Sequence, residues 1–376
     1  MPELDFGGLR TVAEDAVRQP EFATVERRSA RLRRRRHGTA AAILAVVLAG
    51  TTVLATRLDR PQSTTPVLAA SPTHLNQVLY LEAVDTTHLY AVGFPCAACP
   101  FAMNASDDGG RTWEGRTLPN PRSGVVVLGP RLLISGAYVS VDGGFSWRAA
   151  ARTDTPVEAV APGHQAWCVR EATGCRQVLA VDPTTGQIAP LANQPPIDTL
   201  YGVSTPTAAG LWVGGFDRAT DRPALSWSRD GGRTWAVHVF LEAPAVPSHS
   251  PLGFAPQPAT ADGQTVYAMI GNDTDTGFVY RTTDGGATWS IVRQGEHIES
   301  YLGYVTADGA HVLQSGLTTL RYVASRDGGP YVPVELSGDS DQMAVPRAVD
   351  DGYFARDDGY LYLSDDGWTW RREPLP

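Results

Sequence analysis

A short motif that recurs along the chain constrains its fold more than any other feature of the sequence. The motif has the form Ser/Thr-x-Asp-x-Gly-x-Ser/Thr-Trp, and its four complete copies begin at Ser106, Ser140, Ser228 and Thr282. Two incomplete copies follow, because residues 325–331 lack the Trp and residues 364–370 are one residue shorter. The repeated positions are Ser106, Asp108, Gly110, Trp113, Ser140, Asp142, Gly144, Trp147, Ser228, Asp230, Gly232, Trp235, Thr282, Asp284, Gly286, Trp289, Ser325, Asp327, Ser364 and Asp366. Repetition of one unit at this spacing indicates a repeat architecture.

Each copy has the composition of a tight hairpin turn, and we call the six copies the box turns. Asp and Ser side chains imitate backbone hydrogen bonds in turns, and Gly supplies the positive φ that other residues resist. The Trp is expected to begin the next strand, pack on the neighbouring unit and leave its indole N–H to find a partner. The repeated Asp residues are therefore predicted to brace turns, with catalysis or calcium binding as the alternative roles.

The spacing of the turns predicts the number of structural units. The interval from residue 140 to residue 228 is double the others, and Ala180-Val-Asp-Pro-Thr-Thr-Gly186 fits there as a hairpin without the motif. Seven turns then recur every 43 residues on average, which is the length of a four-stranded propeller blade. The sequence predicts an all-β fold, a seven-bladed β-propeller over residues 77–376. Its first strand is expected at about Gln77–Leu81, and the innermost strand of blade 4 at Thr199–Val203.

No segment has the pattern of a strand exchanged between the first and last blades. Residues 66–70, Pro-Val-Leu-Ala-Ala, are a candidate for an additional edge strand near that junction.

The motif resembles the Asp box, or BNR repeat, of sialidases and related β-propellers, including the photosystem II assembly factor-like and sortilin-like propellers. The resemblance covers about 300 residues as architecture and only the box turns as motif. It implies that the boxes lie away from any active site. Sialidase-like enzymes also carry an arginine triad with an Arg-Ile-Pro-type motif before the first box, a Tyr–Glu nucleophile pair and an Asp acid/base. Residues 61–110 contain no Arg, so no catalytic residue is assigned; Glu299, Tyr301 and Tyr304 have the alternation of an ordinary blade strand.

The N-terminal part of the chain has the pattern of a membrane anchor. Seven Arg residues lie between positions 27 and 36, and residues 39–56 contain no charge. An apolar segment of this length is close to the minimum for crossing a bilayer, and Arg on its N-terminal flank places the N-terminus in the cytoplasm. We expect a cytoplasmic Arg-rich arm (1–37), a transmembrane helix acting as signal anchor (38–56) and a Pro/Thr-rich stalk (57–76). A cleaved secretory signal is the alternative for the apolar segment.

Four cysteines lie beyond this segment. An even number in an exported domain indicates disulfides, and nearness in sequence pairs Cys96 with Cys99 and Cys168 with Cys175. A redox role for Cys96 and Cys99 is the alternative, although no βαβ pattern surrounds them to lower a thiol pKa. No His lies at zinc-ligand spacing from either pair. The Asp pairs 273/275 and 339/341 lack the remaining ligands of a calcium site. No metal or cofactor is expected.

The charge distribution limits the classes of partner. Residues 61–376 carry 20 Arg and 33 acidic residues, a net charge of −13, which argues against nucleic acid because phosphate binding needs clustered positive charge. We expect a monomeric single-pass protein of the cell membrane whose propeller lies outside. Its predicted role is a binding or scaffolding module for a protein or glycan ligand. A sialidase-like glycoside hydrolase and a transmembrane sensor signalling through the arm are the alternatives.

Overall fold

The computed structural model describes most of the chain from residue 71 onward. The described ranges are 71–120, 123–171, 174–198, 200, 209–245, 255–271, 276–296, 303–315, 321–337, 343–357 and 359–376. The predicted arm, transmembrane helix and residues 57–70 of the stalk therefore lie outside the described residues. In the part of the chain that is described, no helix has the length and apolar character needed to cross a membrane.

Seven antiparallel sheets follow one another along the chain and form a seven-bladed β-propeller, which confirms the predicted fold. Blade 1 contains β1 (Gln77–Ala83), β2 (Leu89–Phe94), β3 (Ala102–Ser106) and β4 (Glu114–Arg116), and blade 2 contains β5 (Val126–Val127), β6 (Leu133–Ser135), β7 (Tyr138–Ser140) and β8 (Arg148–Ala149). Blade 3 contains β9 (Gln165–Glu171), β10 (Gly174–Val181) and β11 (Ile188–Pro190), and blade 4 contains β12 (Leu211–Phe216), β13 (Pro223–Ser228) and β14 (Ala236–Val239).

The remaining three blades have four strands each. Blade 5 contains β15 (Gln257–Thr260), β16 (Val266–Ile270), β17 (Thr276–Thr282) and β18 (Ser290–Glu296). Blade 6 contains β19 (Gly303–Val305), β20 (His311–Ser315), β21 (Arg321–Ser325) and β22 (Val332–Val334). Blade 7 contains β23 (Ala344–Val349), β24 (Gly352–Arg356), β25 (Tyr360–Ser364) and β26 (Arg371–Pro374). The second and third strands of a blade are apolar and buried on both faces, as in β12, whereas outermost strands such as β4 are polar.

The hydrophobic core is divided among the junctions between blades. Each of seven clusters combines buried side chains of two neighbouring blades, so that every blade is covered on both faces. Tyr90 of blade 1, for example, clusters with Leu133 of blade 2, and Val178 of blade 3 clusters with Val213 of blade 4. Burial of apolar surface between blades is therefore the main force that closes the ring.

The ring closes without an exchanged strand among the described residues. Every described sheet consists of strands that are consecutive in the chain, as expected from the sequence. Leu89 of blade 1 packs with Phe354 and Leu363 of blade 7, and the Leu75 N–H donates to the Pro376 carbonyl at 3.4 Å. The candidate edge strand at residues 66–70 lies outside the described residues.

Blades 3 and 4 depart from the regular pattern. Residues 151–157, which we call the edge segment, follow blade 2 and lie parallel to the outermost strand of blade 3 through bridges from Arg152 to Ile188 and from Val157 to Leu191. In blade 4, Asp198 bridges Phe216 at the inner edge of the sheet. The predicted innermost strand, Thr199–Val203, lies almost wholly outside the described residues.

Candidate functional site

The four complete box turns share one hydrogen-bonding pattern, in which Ser or Thr and Asp hold the hairpin between the third and fourth strands. The Ser or Thr hydroxyl donates to the Asp carboxylate at 2.7–2.9 Å and accepts the second Gly N–H at 2.7–3.0 Å. The N–H and hydroxyl of the later Thr or Ser donate to the same carboxylate. The Trp comes one residue before the next strand rather than within it. The carboxylates are thus occupied by contacts within their own turns.

These contacts affect the acidity of the carboxyl groups. The Thr234 N–H and hydroxyl donate to Asp230 and hold its pKa at about 2. The hydroxyls of Thr288 and Thr282 act in the same way on Asp284, whose pKa is also about 2. A carboxyl group that stays ionised and saturated by donors is suited to bracing a turn rather than to transferring protons.

The second Gly of a box turn lies against the preceding blade. A Cβ at Gly110 would lie 2.5 Å from the Leu361 side chain of blade 7, and one at Gly286 would lie 2.6 Å from Trp227 of blade 4. Both glycines have positive φ, 84° and 104°. The box turns therefore lie at the junctions between blades, and only Gly fits at this position.

The two incomplete box turns differ from each other. Ser364 and Asp366 keep the pattern, since the Ser364 hydroxyl donates to Asp366 at 3.0 Å. Ser325 instead donates to the Gly329 carbonyl at 2.6 Å, and Asp327 adopts φ of 52° with a fully exposed carboxylate. No Ser or Thr follows Asp327 to anchor it, because Pro330 and Tyr331 occupy the end of the turn. The expectation that Asp327 braces this turn through Ser325 does not match the geometry.

A box-like turn that the sequence analysis missed joins β19 to β20. The Thr306 hydroxyl donates to Asp308 at 2.6 Å and accepts the Ala310 N–H at 2.9 Å. Asp308 also accepts hydrogen bonds from Arg326 and from the Trp368 indole of blade 7. The sequence signal is Thr-x-Asp-Gly, which lacks the terminal Ser/Thr-Trp.

Arginines connect successive blades at the level of these turns. In five of the junctions, an Arg of one blade donates to a backbone carbonyl in the turn of the next: Arg116 to Gly143, Arg148 to Thr185, Arg229 to Gly285, Arg281 to Asp327 and Arg371 to Gly109. We call these five residues the inter-blade arginines. Arg229 also donates to Gly263 and stacks 4.9 Å over the Trp212 ring. These guanidinium groups therefore make structural contacts between neighbouring blades.

The residues considered for a Tyr–Glu nucleophile pair do not come together in the described structure. Tyr304 is buried and its hydroxyl donates to the Gly367 carbonyl at 2.8 Å, which links blades 6 and 7. Glu299 and Tyr301 lie outside the described residues, as do the Asp pairs 273/275 and 339/341. Among the described residues, no group of three or more His, Cys, Asp or Glu side chains is placed to hold a metal ion.

Both disulfides have the pairing predicted from the sequence, Cys96–Cys99 and Cys168–Cys175. Cys96 and Cys99 lie in the half-exposed turn between β2 and β3, where the Cys99 N–H donates to the Cys96 carbonyl. Cys168 and Cys175 connect β9 to β10 and are buried in the cluster between blades 3 and 4. The second disulfide therefore stabilises the blade that lacks a box turn.

A cleft of about 630 Å³ opens beside blade 3, on the face that is turned toward blade 4. Ala180 of β10 and Ala189 of β11 form its floor, and they lie opposite each other in the ladder. Thr153, Thr155 and Val157 of the edge segment form one wall, with residues 158–164 and Arg233 beyond. The two floor residues have only methyl side chains, and both are largely buried, at 5% and 6% exposure.

The edge segment bulges where it passes this cleft. Its Thr153 N–H donates to the Ile188 carbonyl, and its Val157 N–H donates to the Pro190 carbonyl, so residues 153–157 of the segment lie against only residues 188–190 of β11. Pro190 has no N–H to offer to a neighbouring strand, and Pro156 interrupts the segment itself. The ladder is interrupted between these bonds, and the wall of the cleft is held by backbone hydrogen bonds on either side of the interruption.

Polar groups surround the apolar floor. Glu158, His164 and Gln187 line the rim, and their side chains make no hydrogen bond to another described residue. Arg233 donates from Nη1 to the Asp230 carbonyl at 3.0 Å. The Asp182 carboxylate already accepts hydrogen bonds from the Thr185 hydroxyl and the Thr184 N–H, and these bonds lower its pKa. An apolar floor with a few polar groups at the rim is the usual composition of a ligand-binding cleft.

A second pocket of about 280 Å³ lies between the hairpins of blades 5 and 6. Its charged groups are already paired, because Arg326 donates to Asp308 at 2.6 Å and Arg281 lies 3.7 Å from the Asp327 carboxylate. The cleft at blade 3 is larger and holds polar groups that are not engaged, and it is therefore the stronger candidate for a binding site.

Comparison with known proteins found similar proteins among solved structures only. No family model and no curated protein sequence matches the chain. Among solved structures, it is similar to a puromycin-hydrolysing peptidase of Mycobacterium tuberculosis at 12% identity and a TM-score of 0.50, over 81% of this chain and 55% of that one. It is similar to YCF48 bound to D1 peptide at 15% identity and a TM-score of 0.33, over 81% and 83% of the two chains. It is also similar to the WD40 β-propeller domain of Doa1 at 11% identity and a TM-score of 0.41, over 81% and 96%. At such identities the likeness concerns the fold alone, and the assignment as a β-propeller rests on the seven sheets described above.

Proposed function

We propose that this protein is a membrane-anchored propeller of the Asp-box type that binds a segment of another protein on the exported side of the membrane. The observation that carries the proposal is the open cleft at blade 3. Its apolar floor is surrounded by polar side chains at the rim that make no hydrogen bond to another described residue. A propeller is a rigid scaffold, and one irregular blade on such a scaffold is a natural position for a ligand.

The contacts of the arginines and Asp residues favour binding over glycoside hydrolysis. A carboxylate clamp needs several Arg side chains that converge on one point. The inter-blade arginines donate to turn carbonyls at five separate junctions instead, and the Asp residues of the complete box turns are saturated by their own turns. Membrane attachment through residues 38–56 rests on the sequence pattern alone, and it brings the propeller to the cell surface.

Site-specific photo-crosslinking in intact cells tests this function. The full chain would carry a photoreactive residue at Glu158, on the rim of the cleft, or at Arg111, an exposed position in the box turn of blade 1. We expect a discrete adduct from position 158 that protease digests, and none from position 111. An adduct that only glycosidases remove would identify a glycan ligand, and equal labelling from both positions would contradict a binding site at blade 3.

A further inference from the structure

The turn between β2 and β3 of blade 1 has a symmetric sequence. Residues 94–101 read Phe-Pro-Cys-Ala-Ala-Cys-Pro-Phe, which is the same in both directions, and we call these eight residues the cysteine turn. The structure sets equivalent residues against each other, since the Phe94 and Phe101 rings lie 4.7 Å apart and Cys96 is bonded to Cys99. The proposed function uses none of these residues, and none of them lines the cleft at blade 3.

The disulfide of the cysteine turn joins residues that other contacts already hold together. The Cys99 N–H donates to the Cys96 carbonyl at 3.0 Å, which closes the turn through the backbone. Gly93 pairs with Ala102 in the ladder at the base of the turn. A disulfide that closes so short a loop removes little freedom from the unfolded chain, because its effect grows with loop length. The bond is therefore expected to add little to the stability of blade 1.

The cysteine turn is also accessible to solvent. Both cysteines are half-buried, while Ala97, Ala98 and Pro100 are exposed. Neither Cys96 nor Cys99 belongs to any of the seven clusters at the blade junctions. An accessible disulfide is one that an incoming thiolate can attack, and cleavage of this one breaks no contact of the hydrophobic core.

The disulfide between Cys168 and Cys175 differs on both points. It connects β9 to β10, and its cysteines are only 9% and 4% exposed in the cluster between blades 3 and 4. A thiolate reaches this bond only when the junction opens. The same chain thus contains a buried structural disulfide and an accessible one, and the first serves as a reference for the second.

The surroundings of the cysteine turn suit a bond that opens and closes again. Residues 89–106, which comprise β2, the turn and β3, contain no charged residue, so no carboxylate in this hairpin repels an approaching thiolate. Pro95 and Pro100 fix the backbone φ on either side of the two cysteines. The ladder and the prolines keep reduced cysteines close together, which gives them a high effective concentration for closing the bond.

We propose that Cys96 and Cys99 are a thiol–disulfide exchange site whose substrate is a dithiol of another protein. The disulfide is the resting form. A thiolate of the substrate attacks the sulfur of one cysteine, the Cys96–Cys99 bond breaks, and the other cysteine leaves as a thiolate that takes up a proton. The second substrate thiol loses its proton, attacks the mixed disulfide and releases the first cysteine in the same way. Two electrons and two protons thus pass to Cys96 and Cys99, and the substrate becomes a disulfide.

This chemistry depends on access to the bond rather than on an acidic thiol in the turn. The nucleophile is the thiolate of the substrate, so attack does not require a βαβ surrounding that lowers the pKa of Cys96 or Cys99. The inference is independent of the cleft at blade 3 and goes beyond the proposed binding function.

Redox titration of the purified full chain tests the inference. The protein is equilibrated with mixtures of reduced and oxidised glutathione, free thiols are blocked with a maleimide, and peptide mass spectrometry measures the reduced fraction of each pair. We expect reduced glutathione to open Cys96–Cys99 while the chain stays folded. Cys168–Cys175 should remain oxidised over the same range, because structural disulfides resist reduction by glutathione.

Electron transfer is measured with a defined substrate, a synthetic peptide that carries two reduced cysteines. The oxidised wild-type chain should convert about one equivalent of this peptide to its disulfide. A double variant with Cys96→Ser and Cys99→Ser should convert at least tenfold less in the same time. Urea denaturation should give the same midpoint for wild type, for the chain reduced at this pair and for the double variant.

Three results would overturn the inference. The first is reduction of both disulfides together, only as the chain unfolds. The second is a failure of the wild-type chain to oxidise the peptide. The third is a urea midpoint that falls when Cys96–Cys99 is reduced, which would make the bond structural. If the double variant does not fold, the titration and the peptide assay on wild type still decide the question.

Discussion

Ala189 lies directly across the β10–β11 ladder from Ala180, and the two methyl side chains form the floor of the cleft at blade 3. This relationship makes blade 3 the exception in an otherwise repetitive ring. The edge segment, which follows blade 2, lines the cleft beside these two residues.

Removal of a box carboxylate should destabilise the fold. Asp230→Ala leaves the Thr234 N–H and the Ser228 hydroxyl without their acceptor, and we expect the free energy of unfolding to fall by about 1–3 kcal/mol. Asp365→Ala makes the same replacement at an exposed position inside the turn of blade 7 and should change it by less than about 0.5 kcal/mol. Urea denaturation of both variants measures the difference. Similar losses for the two would show that the Asp230 contacts do not stabilise the turn.

Loss of an inter-blade arginine should also lower stability. Arg229 donates to carbonyls in the hairpins of blades 4 and 5, and hydrogen bonds from a charged donor contribute about 1.5–3 kcal/mol. We expect Arg229→Ala to lower the free energy of unfolding by this amount in urea titrations, and Arg111→Ala, which alters an exposed side chain, to have little effect. A neutral Arg229→Ala variant would mean that these contacts do not hold neighbouring blades together.

The box turns and the seventh turn at Asp182 were predictable because each depends on residues a few positions apart. The disulfides were predictable for the same reason. The inter-blade arginines were not, since Arg229 and Gly285 are brought together by the ring and not by a local pattern. The cleft was not predictable, because the fold brings the edge segment, Arg233 and the Ala180–Ala189 pair together from separate parts of the chain.

Protonation of a buried histidine should make stability depend on pH. Burial lowers the pKa of His311 to about 3, and the ring stacks on Tyr267 at 4.1 Å and bonds Tyr331 at 2.5 Å. Below about pH 6.5 the unfolded chain binds a proton at this residue that the folded chain does not, so this contribution to stability is present above pH 6.5 and falls with decreasing pH. Between pH 7 and pH 5 we expect a loss of about 2 kcal/mol from this group.

Urea denaturation of wild type and His311→Phe at the two pH values isolates the effect. The variant should lose less stability than wild type over the same interval, by about 2 kcal/mol, because Phe cannot bind the proton. Identical losses for the two proteins would place the pH dependence in other groups.

The proposed anchor predicts a definite topology. A single cysteine introduced at residue 20 should be protected from a membrane-impermeant maleimide in intact cells, while one at the exposed residue Ser71 should react. The native cysteines are paired in disulfides and do not interfere. Labelling at residue 20 would reverse the orientation, and a mature protein that begins near Thr56 would replace the anchor by a cleaved signal.

The most direct test of the central claim is the yield of the photo-crosslinked adduct from Glu158 in the Ala189→Trp background. If the propeller binds its ligand in the cleft at blade 3, filling the cleft should lower this yield at least tenfold. Val332→Trp, which carries the same added ring on blade 6, should retain the wild-type yield. Equal yields from wild type and Ala189→Trp would contradict the assignment of the cleft as the binding site.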